Sequence, residues 1–446
     1  MTDDSIAAAL AEIETDAGAS SDGGVPCRFI CGVAGSGKTF SVAKRAAEEP
    51  GWALLTSTTG VSAVNLGAVT INSALGFFDE ASLRDAYLQG RLQRAIHEVG
   101  RDYRWIAVDE GSMMGGPSLD LLKRGVQEAN QYADMVGRPL GILFIADFAQ
   151  LPPVNQPWAF EADCWPMFAS HMTKLTKVWR QADGPFLDAL NLLRAGRGGE
   201  ASEVLTAAGA TWHTVRDENF PGTTIVPVNA QVSRHNAVAL DHVRGERFVL
   251  RARRWGKQRG EWGLNPRTHE WGIPPEAEFK VGAYVMCLAN RPDFTVVNGD
   301  CGTIVAHDPE AGEVVVRLVR TGREETIGAI VRSVTVAEAP EGFAGPTVDY
   351  GEYVERPHRV ARRRGWVVGQ VEYVPLRLAY CSTCHKSQSL TLDRVQIDYR
   401  HHWFGQCAML YVAMSRCRTL AGLRLVGMRE TFVKQCKADL RVKEWL

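Results

Sequence analysis

The sequence predicts an α/β protein built on parallel sheets around a P-loop and interrupted by a small β domain. Three observations carry that expectation. Short apolar runs alternate with helical stretches both before residue 245 and after residue 375, the pattern of βαβ units. One run, Cys27 to Gly32, passes directly into a glycine-rich turn and then a helix-forming segment. Between about 245 and 375 the texture changes to Gly, Pro and short alternating strands such as "EVVVRLV" and "ETIGAIVRSVTV", as in a small barrel or sandwich.

Residues 1–25 end in Gly, Ser and Asp and read as a flexible lead-in. "CRFICGVAGSGKTFSVAKRAAEE" then reads as strand, turn and helix. "WALLTSTTG", "RWIAVDE" and "LGILFIADFAQLPP" are apolar runs closed by polar residues, as buried strands are. "SLDLLKRGVQEANQYADMV" has helical spacing, and residues 75–100 also look helical. The pattern resumes with helical "GPFLDALNLLRAGR", strand-like "TTIVPVN" and helical "AQVSRHNAVALDHV". Two arginine-rich stretches, 251–259 and 356–364, are candidates for duplex contact and equally for a solvated charged face.

Composition restricts the function classes. The 446 residues carry 50 Lys+Arg against 51 Asp+Glu, a net charge of −1. A nucleic-acid partner would therefore need a local basic surface. The acidic N-terminus lacks a basic n-region and apolar h-region, and no apolar run approaches the ~20 residues of a membrane span. Ten cysteines without framework spacing fit a reducing compartment, so the cytoplasm is the expected location. "CSTCHKSQS" (Cys381–Ser389) needs separate thought. Its Cys-x-x-Cys-His satisfies the haem c attachment pattern, and Cys381/Cys384 could be half of a zinc site. Haem c requires export, and no second Cys-x-x-Cys follows. Two cysteines in small core positions are the plainer account.

The strongest chemical signal is "GVAGSGKT", a complete G-x-x-x-x-G-K-[ST]. Gly32, Val33, Ala34, Gly35, Ser36, Gly37, Lys38, Thr39 and Phe40 form the candidate phosphate cradle. Lys38 would reach the β- and γ-phosphates and Thr39 would ligate Mg²⁺. The partner carboxylates are Asp109, expected to hold Mg²⁺, and Glu110, expected to be the general base. Gln150, in "ADFAQLPPV", can sense the γ-phosphate.

With those residues in place the chain resembles the superfamily-1 helicases of the 5′→3′ branch, the petite-integration-frequency, Dda and RecD type, along nearly its whole length. "TSTTGVSAVNLGAVTINS" is similar to motifs Ia and Ib, which implies strand contacts at Thr58, Gly60, Asn72 and Ser73. "LTKVWRQ" is similar to motif IV and implies Arg180 at the γ-phosphate. "PVNAQVSRHN" implies Asn229 facing nucleic acid, and "GQCAMLYVAMSRCRTL" is similar to motif VI, with Arg416 as a second arginine finger. "LAYCSTCHKSQSLTLD" takes the place of motif V, so Thr383, His385, Lys386, Ser387 and Gln388 would touch DNA and couple it to ATP. Phe77, with Phe78, is a candidate strand-separating wedge, although two aromatics beside a helix are more often core. Ser389, Asn72 and Ala146 depart from the family's Gly, His and Gly, and no Q-motif glutamine precedes the P-loop.

The resemblance implies two RecA-like P-loop domains with an inserted SH3-like β-barrel. Domain 1A would cover 26–175 with a short 1B insertion near 75–100; 2A would cover 176–244 and 376–446; 2B would cover 245–375. It implies a monomer that uses ATP and Mg²⁺ on single-stranded and forked DNA, with accessory replication or repair proteins as possible partners. A single-strand-stimulated ATPase or translocase that remodels protein–DNA complexes is the alternative function.

Overall fold

The structure is a computed structural model. It describes residues 24–445 except 60–61, 64–65, 67, 78, 136, 182–183, 257–272, 290, 292–294, 297–298, 337–352, 356–363, 389 and 401–407. Gly60, Phe78 and Ser389 thus lie outside the described residues, as do residues 257–259 of the first arginine-rich stretch and 356–363 of the second. The chain divides into one compact unit, 1–232 with 381–446, and a second, 233–380.

The first unit holds two parallel sheets. Six strands, β1 (Cys27–Gly32), β2 (Ala53–Ser57), β3 (Val69–Thr70), β4 (Trp105–Asp109), β5 (Gly141–Ala146) and β6 (Met172–Leu175), lie in the order β3-β2-β4-β5-β1-β6. Every residue of β1, β4 and β5 is buried. That explains why these strands read as continuous apolar runs: a parallel sheet covered on both faces has no solvent side to alternate toward. Parallel pairing also brings the C-terminal ends of β1, β4 and β5 to one edge, the usual ligand-binding edge of such sheets.

An aromatic cluster fills the space beneath this sheet. Phe29 meets Trp165 edge-on at 4.9 Å, and Trp445, near the far end of the chain, meets Trp165 at 5.4 Å. Trp158 Nε1 donates to Asp439 Oδ2 at 3.0 Å nearby. The last turn of the described chain is thereby fastened to the first sheet. Residues 80–102 form two helices, Glu80–Leu88 and Arg91–Asp102. They lie against the helix Gly116–Ala129, where Gln93 Nε2 donates to Glu128 Oε2 at 2.8 Å.

The second sheet takes β7 (Trp212–His213) and β8 (Thr223–Val226) from one stretch of chain and β20 (Cys381–Thr383), β21 (Val395–Asp398) and β22 (Leu423–Val426) from another, in the order β20-β8-β21-β22-β7. The intervening unit, considered by itself, is antiparallel. It contains β9 (Arg247–Arg251) paired with β11 (Glu276–Lys280). A five-stranded sheet joins β12 (Tyr284–Cys287), β13 (Cys301–Asp308), β14 (Glu313–Leu318), β15 (Glu324–Ile327) and β19 (Leu376–Leu378). A third sheet joins β10 (Arg253–Gly256), β16 (Ile330–Val336), β17 (Tyr353–Glu355) and β18 (Arg364–Tyr373). Phe248, Phe279, Val285, Ile304, Val314 and Val316, from β9, β11 and the five-stranded sheet, form a common core. Two parallel sheets joined by an antiparallel insertion match the α/β architecture expected from sequence.

Candidate active site

The P-loop runs from β1 into the helix Lys38–Glu48. Gly35 and Gly37 have φ of +83° and +86°, a region that side-chain-bearing residues rarely adopt. A Cβ on Gly35 would stand 2.6 Å from Arg180 Cβ, so the loop also needs glycine for close approach. The buried Lys38 Nζ donates to Gly32 O at 2.8 Å and Val33 O at 3.0 Å. Burial lowers its pKa, against the pull of Asp147, Glu110 and Asp109. Phe40 is 72% exposed on the first turn of the helix. Trp179, 45% exposed, is tied to the loop by its backbone N–H, which donates to Gly35 O at 2.8 Å.

The end of β4 supplies the carboxylates. Thr39 Oγ1 donates to both oxygens of Asp109 at 3.0 Å, and Ser62 Oγ donates to Oδ2 at 3.1 Å. Burial and the adjacent Glu110 push the Asp109 carboxyl up to about 7. A buried carboxylate beside a threonine hydroxyl is an all-oxygen donor pair of the kind a hard divalent cation takes. The residues therefore fit Mg²⁺. Glu110 has φ +51° and ψ +38°, an uncommon left-handed conformation for a residue other than glycine. Such strain costs roughly 1–3 kcal/mol and concentrates at functional positions. Thr58 Oγ1 donates to Glu110 O at 2.7 Å, so Thr58, expected on the DNA strand, fastens the turn that carries Glu110.

Motifs IV and VI close the cleft. Arg180 Nη1 donates to Ser415 O at 3.3 Å, and Gln181 Nε2 donates to Ser415 O and Cys417 O at 3.2 and 2.9 Å. Burial and then the neighbouring Arg416 lower the Arg180 guanidinium to about 9. Burial likewise lowers Arg416, with Glu110 opposing. A buried guanidinium beside a half-buried one whose charge it disfavours needs an anion. Ser36 Oγ, Gln181 Oε1 and Gln388 Oε1 have no hydrogen-bond partner among the described residues. The guanidinium charge and the Ser36 hydroxyl, which can donate, therefore fit a nucleotide's phosphates, whereas the two amide oxygens only accept.

Motif V lies differently from its expectation. Gln388 Nε2 donates to Glu110 Oε2 at 3.1 Å and Gln150 Oε1 at 3.4 Å. This residue, expected at the DNA, is 2% exposed and faces the Glu110 carboxylate. Ser387 is fully buried with its hydroxyl on Cys384 O, and Thr383 caps the short helix Cys384–Ser387 by accepting Lys386 N–H. Their side chains hold the segment's shape and are withdrawn from a strand. Lys386 is exposed and His385 half-buried; burial lowers the His385 pKa. Cys381 and Cys384 are buried, their thiols raised to about 12 by burial. Cys384 Sγ donates to Met409 O at 3.3 Å, a packing role.

Of the other expected strand contacts, Ser73 is exposed and Asn72 half-exposed. Asn229 begins the helix Asn229–His242. Phe77 is 6% exposed, its N–H on Asn72 O at 3.0 Å, so this ring is core and cannot act as a wedge. Residues without a sequence signal of their own also enter the site: Ser62, Trp179, Asp147, Arg194 and Tyr411. Tyr411 reaches Asp147 across 264 positions of sequence, a separation that no local spacing reveals.

Fold and cleft together define a P-loop ATPase of the helicase type. The chain resembles the Pif1 helicases of superfamily 1B. A family model described as an AAA domain matches residues 22–215. The ATP-dependent DNA helicase Pif1 of Bdellovibrio bacteriovorus is 29% identical over 405 residues, covering 90% of this chain and 84% of the relative. The human ATP-dependent DNA helicase PIF1 is 27% identical over 419 residues, and the match spans 89% of this chain but only 58% of that protein. The crystal structure of Pif1 from Candida albicans superposes with a TM-score of 0.72 at 21% identity, covering 100% of this chain and 98% of the other. A Bacteroides Pif1 bound to single-stranded DNA gives 0.59 at 23%, covering 91% and 90%.

Proposed function

We propose that this chain is an ATP-dependent DNA helicase that moves 5′→3′ along single-stranded DNA and unwinds duplex. The observation that carries the reading is the convergence of Lys38 and Arg416, both buried, and the half-buried Arg180 on a cleft that also holds Asp109 and Glu110. Lys38 and the two guanidiniums gather the phosphates, and Gln150 stands beside Glu110. Thr39 and Asp109 would hold Mg²⁺, which would neutralise phosphate charge when bound. Glu110 takes the proton of the attacking water. Trp179 offers a flat surface beside the P-loop where a base can stack.

Single-strand contact falls to the exposed Ser73 and Lys386, with Asn72, His385 and Asn229. The relatives support the substrate, since solved Pif1 proteins carry single-stranded DNA, forked DNA and ADP-AlF3. The chain works as a monomer in the cytoplasm. Forked duplexes with either a 5′ or a 3′ tail test the proposal by fluorescence of the displaced strand. Strand release should require ATP, Mg²⁺ and the 5′ tail. Preference for the 3′ tail overturns the polarity, and hydrolysis without release favours the remodelling translocase.

Gln388 ties the strand-contacting segment to the base. Gln388→Ala should cut DNA-stimulated hydrolysis by about tenfold to a hundredfold, the scale of a lost positioning contact, while nucleotide binding survives. Replacing both Cys381 and Cys384 by Ala should leave hydrolysis and unwinding within about threefold, since only buried packing is lost. Stoichiometric zinc in the purified protein, with loss of activity in the double variant, would restore the metal reading.

A further inference from the structure

Asp147, just past β5, is buried and shared by three side chains. Arg194, which ends the helix Pro185–Arg194, donates to Oδ1 through Nη2 at 3.1 Å and Nε at 3.3 Å. Tyr411 OH, from the helix Met409–Met414, donates to Oδ2 at 3.1 Å, and Gln150 Nε2 lies 3.5 Å from the same oxygen. The phenol oxygen in turn accepts the P-loop N–H of Ala34 at 3.0 Å. Although burial works against the ionised form of Asp147, Arg194 and Lys38 outweigh it and hold its pKa down. Burial and Asp147 raise the phenol's pKa, so Tyr411 stays protonated. The hydroxyl is thus both donor and acceptor, with a fixed partner in each role.

The same helix leads to Arg416. Arg416 Nε donates back to Val412 O at 2.8 Å and Nη2 to Ser415 Oγ at 2.7 Å. The guanidinium's resting position is therefore defined relative to the helix, and the helix is defined relative to the P-loop by one phenol. We infer that Tyr411 is a positioning residue for Arg416, its hydroxyl keeping the finger-bearing helix in register with the P-loop and with Asp147. This rests on the proposed reading of Arg416 at the γ-phosphate. A helix that slips by about an ångström still binds ATP through the P-loop but presents the guanidinium out of line, and such misplacement costs on the order of a hundredfold in rate.

The test combines Tyr411→Phe and Arg416→Ala, singly and together, at saturating single-stranded DNA. Tyr411→Phe alone should lower kcat by about tenfold to a hundredfold with the KM for ATP within about threefold, because the binding amides remain. Added to Arg416→Ala it should cost less than about twofold more, since residues acting as one unit are non-additive. Losses that multiply, or a KM that rises at constant kcat, would overturn the inference and leave Tyr411 a packing residue. Asp147→Asn, with the same criterion, covers the case that Tyr411→Phe fails to fold. A wild-type kcat that Arg416→Ala does not change refutes the finger, which is a separate failure.

Discussion

Arg416→Ala is expected to lower DNA-stimulated kcat by about 10³-fold or more, the range of arginine fingers in phosphoryl transfer, which is about 4 kcal/mol at the barrier. The reason is the electrostatics of the resting cleft. Arg416 is 1% exposed, and burial disfavours its charge. Its nearest counter-charge is Glu110, which the mechanism needs as a free base. Arg180 is lowered to about 9 by burial and by Arg416 itself. Anionic oxygens between the two relieve both costs, and the relief is greatest where charge develops in the transition state. Removing one guanidinium should therefore reduce kcat far more than nucleotide affinity. Arg180→Ala should act in the same direction. Steady-state hydrolysis with and without DNA, alongside fluorescence titration of a labelled single strand, separates the two quantities. Loss of strand binding at normal basal turnover would move Arg416 from the cleft to the track.

What the sequence made legible follows how local each signal is. The P-loop could be read from eight consecutive residues because glycine at a left-handed turn and a lysine after it leave little else to choose. β4 and β5 could be read because both faces are buried, so the apolar run is unbroken until Asp109 and Asp147. The insertion was visible as a change of texture, with its expected edges at 245 and 375 and the compact unit at 233–380. The motif-V glutamine was legible as functional but not in direction. Only the fold shows that Gln388 faces Glu110, 278 positions away. Phe77 is a position where the sequence left wedge and core both open. An aromatic pair beside a helix looks the same in sequence whether it is a wedge or core, and burial decides. The Asp147–Arg194–Tyr411 cluster could not be read from sequence, because its members come from the end of a strand and from two helices far apart in the chain.

Glu110→Gln is expected to bind ATP and hydrolyse it about 10²- to 10⁴-fold more slowly, the span attributed to a positioned general base. The backbone requirement at this position is the same for both residues, since the left-handed turn at φ +51° is held by Thr58 Oγ1 on Glu110 O and by the Met113 N–H on that same carbonyl. Geometry should therefore survive the change. Thr39 and Asp109 remain to hold Mg²⁺, and Lys38 remains for the phosphates, so binding survives as well. Only the proton acceptor is lost, because an amide cannot take a proton from water at neutral pH. Gln388 Nε2 keeps an oxygen to donate to, so the link to motif V persists and the ATP-bound state should retain its grip on the strand. Single-turnover hydrolysis of labelled ATP, with DNA affinity measured in the same nucleotide, reads both effects. Turnover within about tenfold of wild type would place the base elsewhere. Gln388 would then be positioning a carboxylate whose role is to orient the cleft, with proton transfer carried by another group.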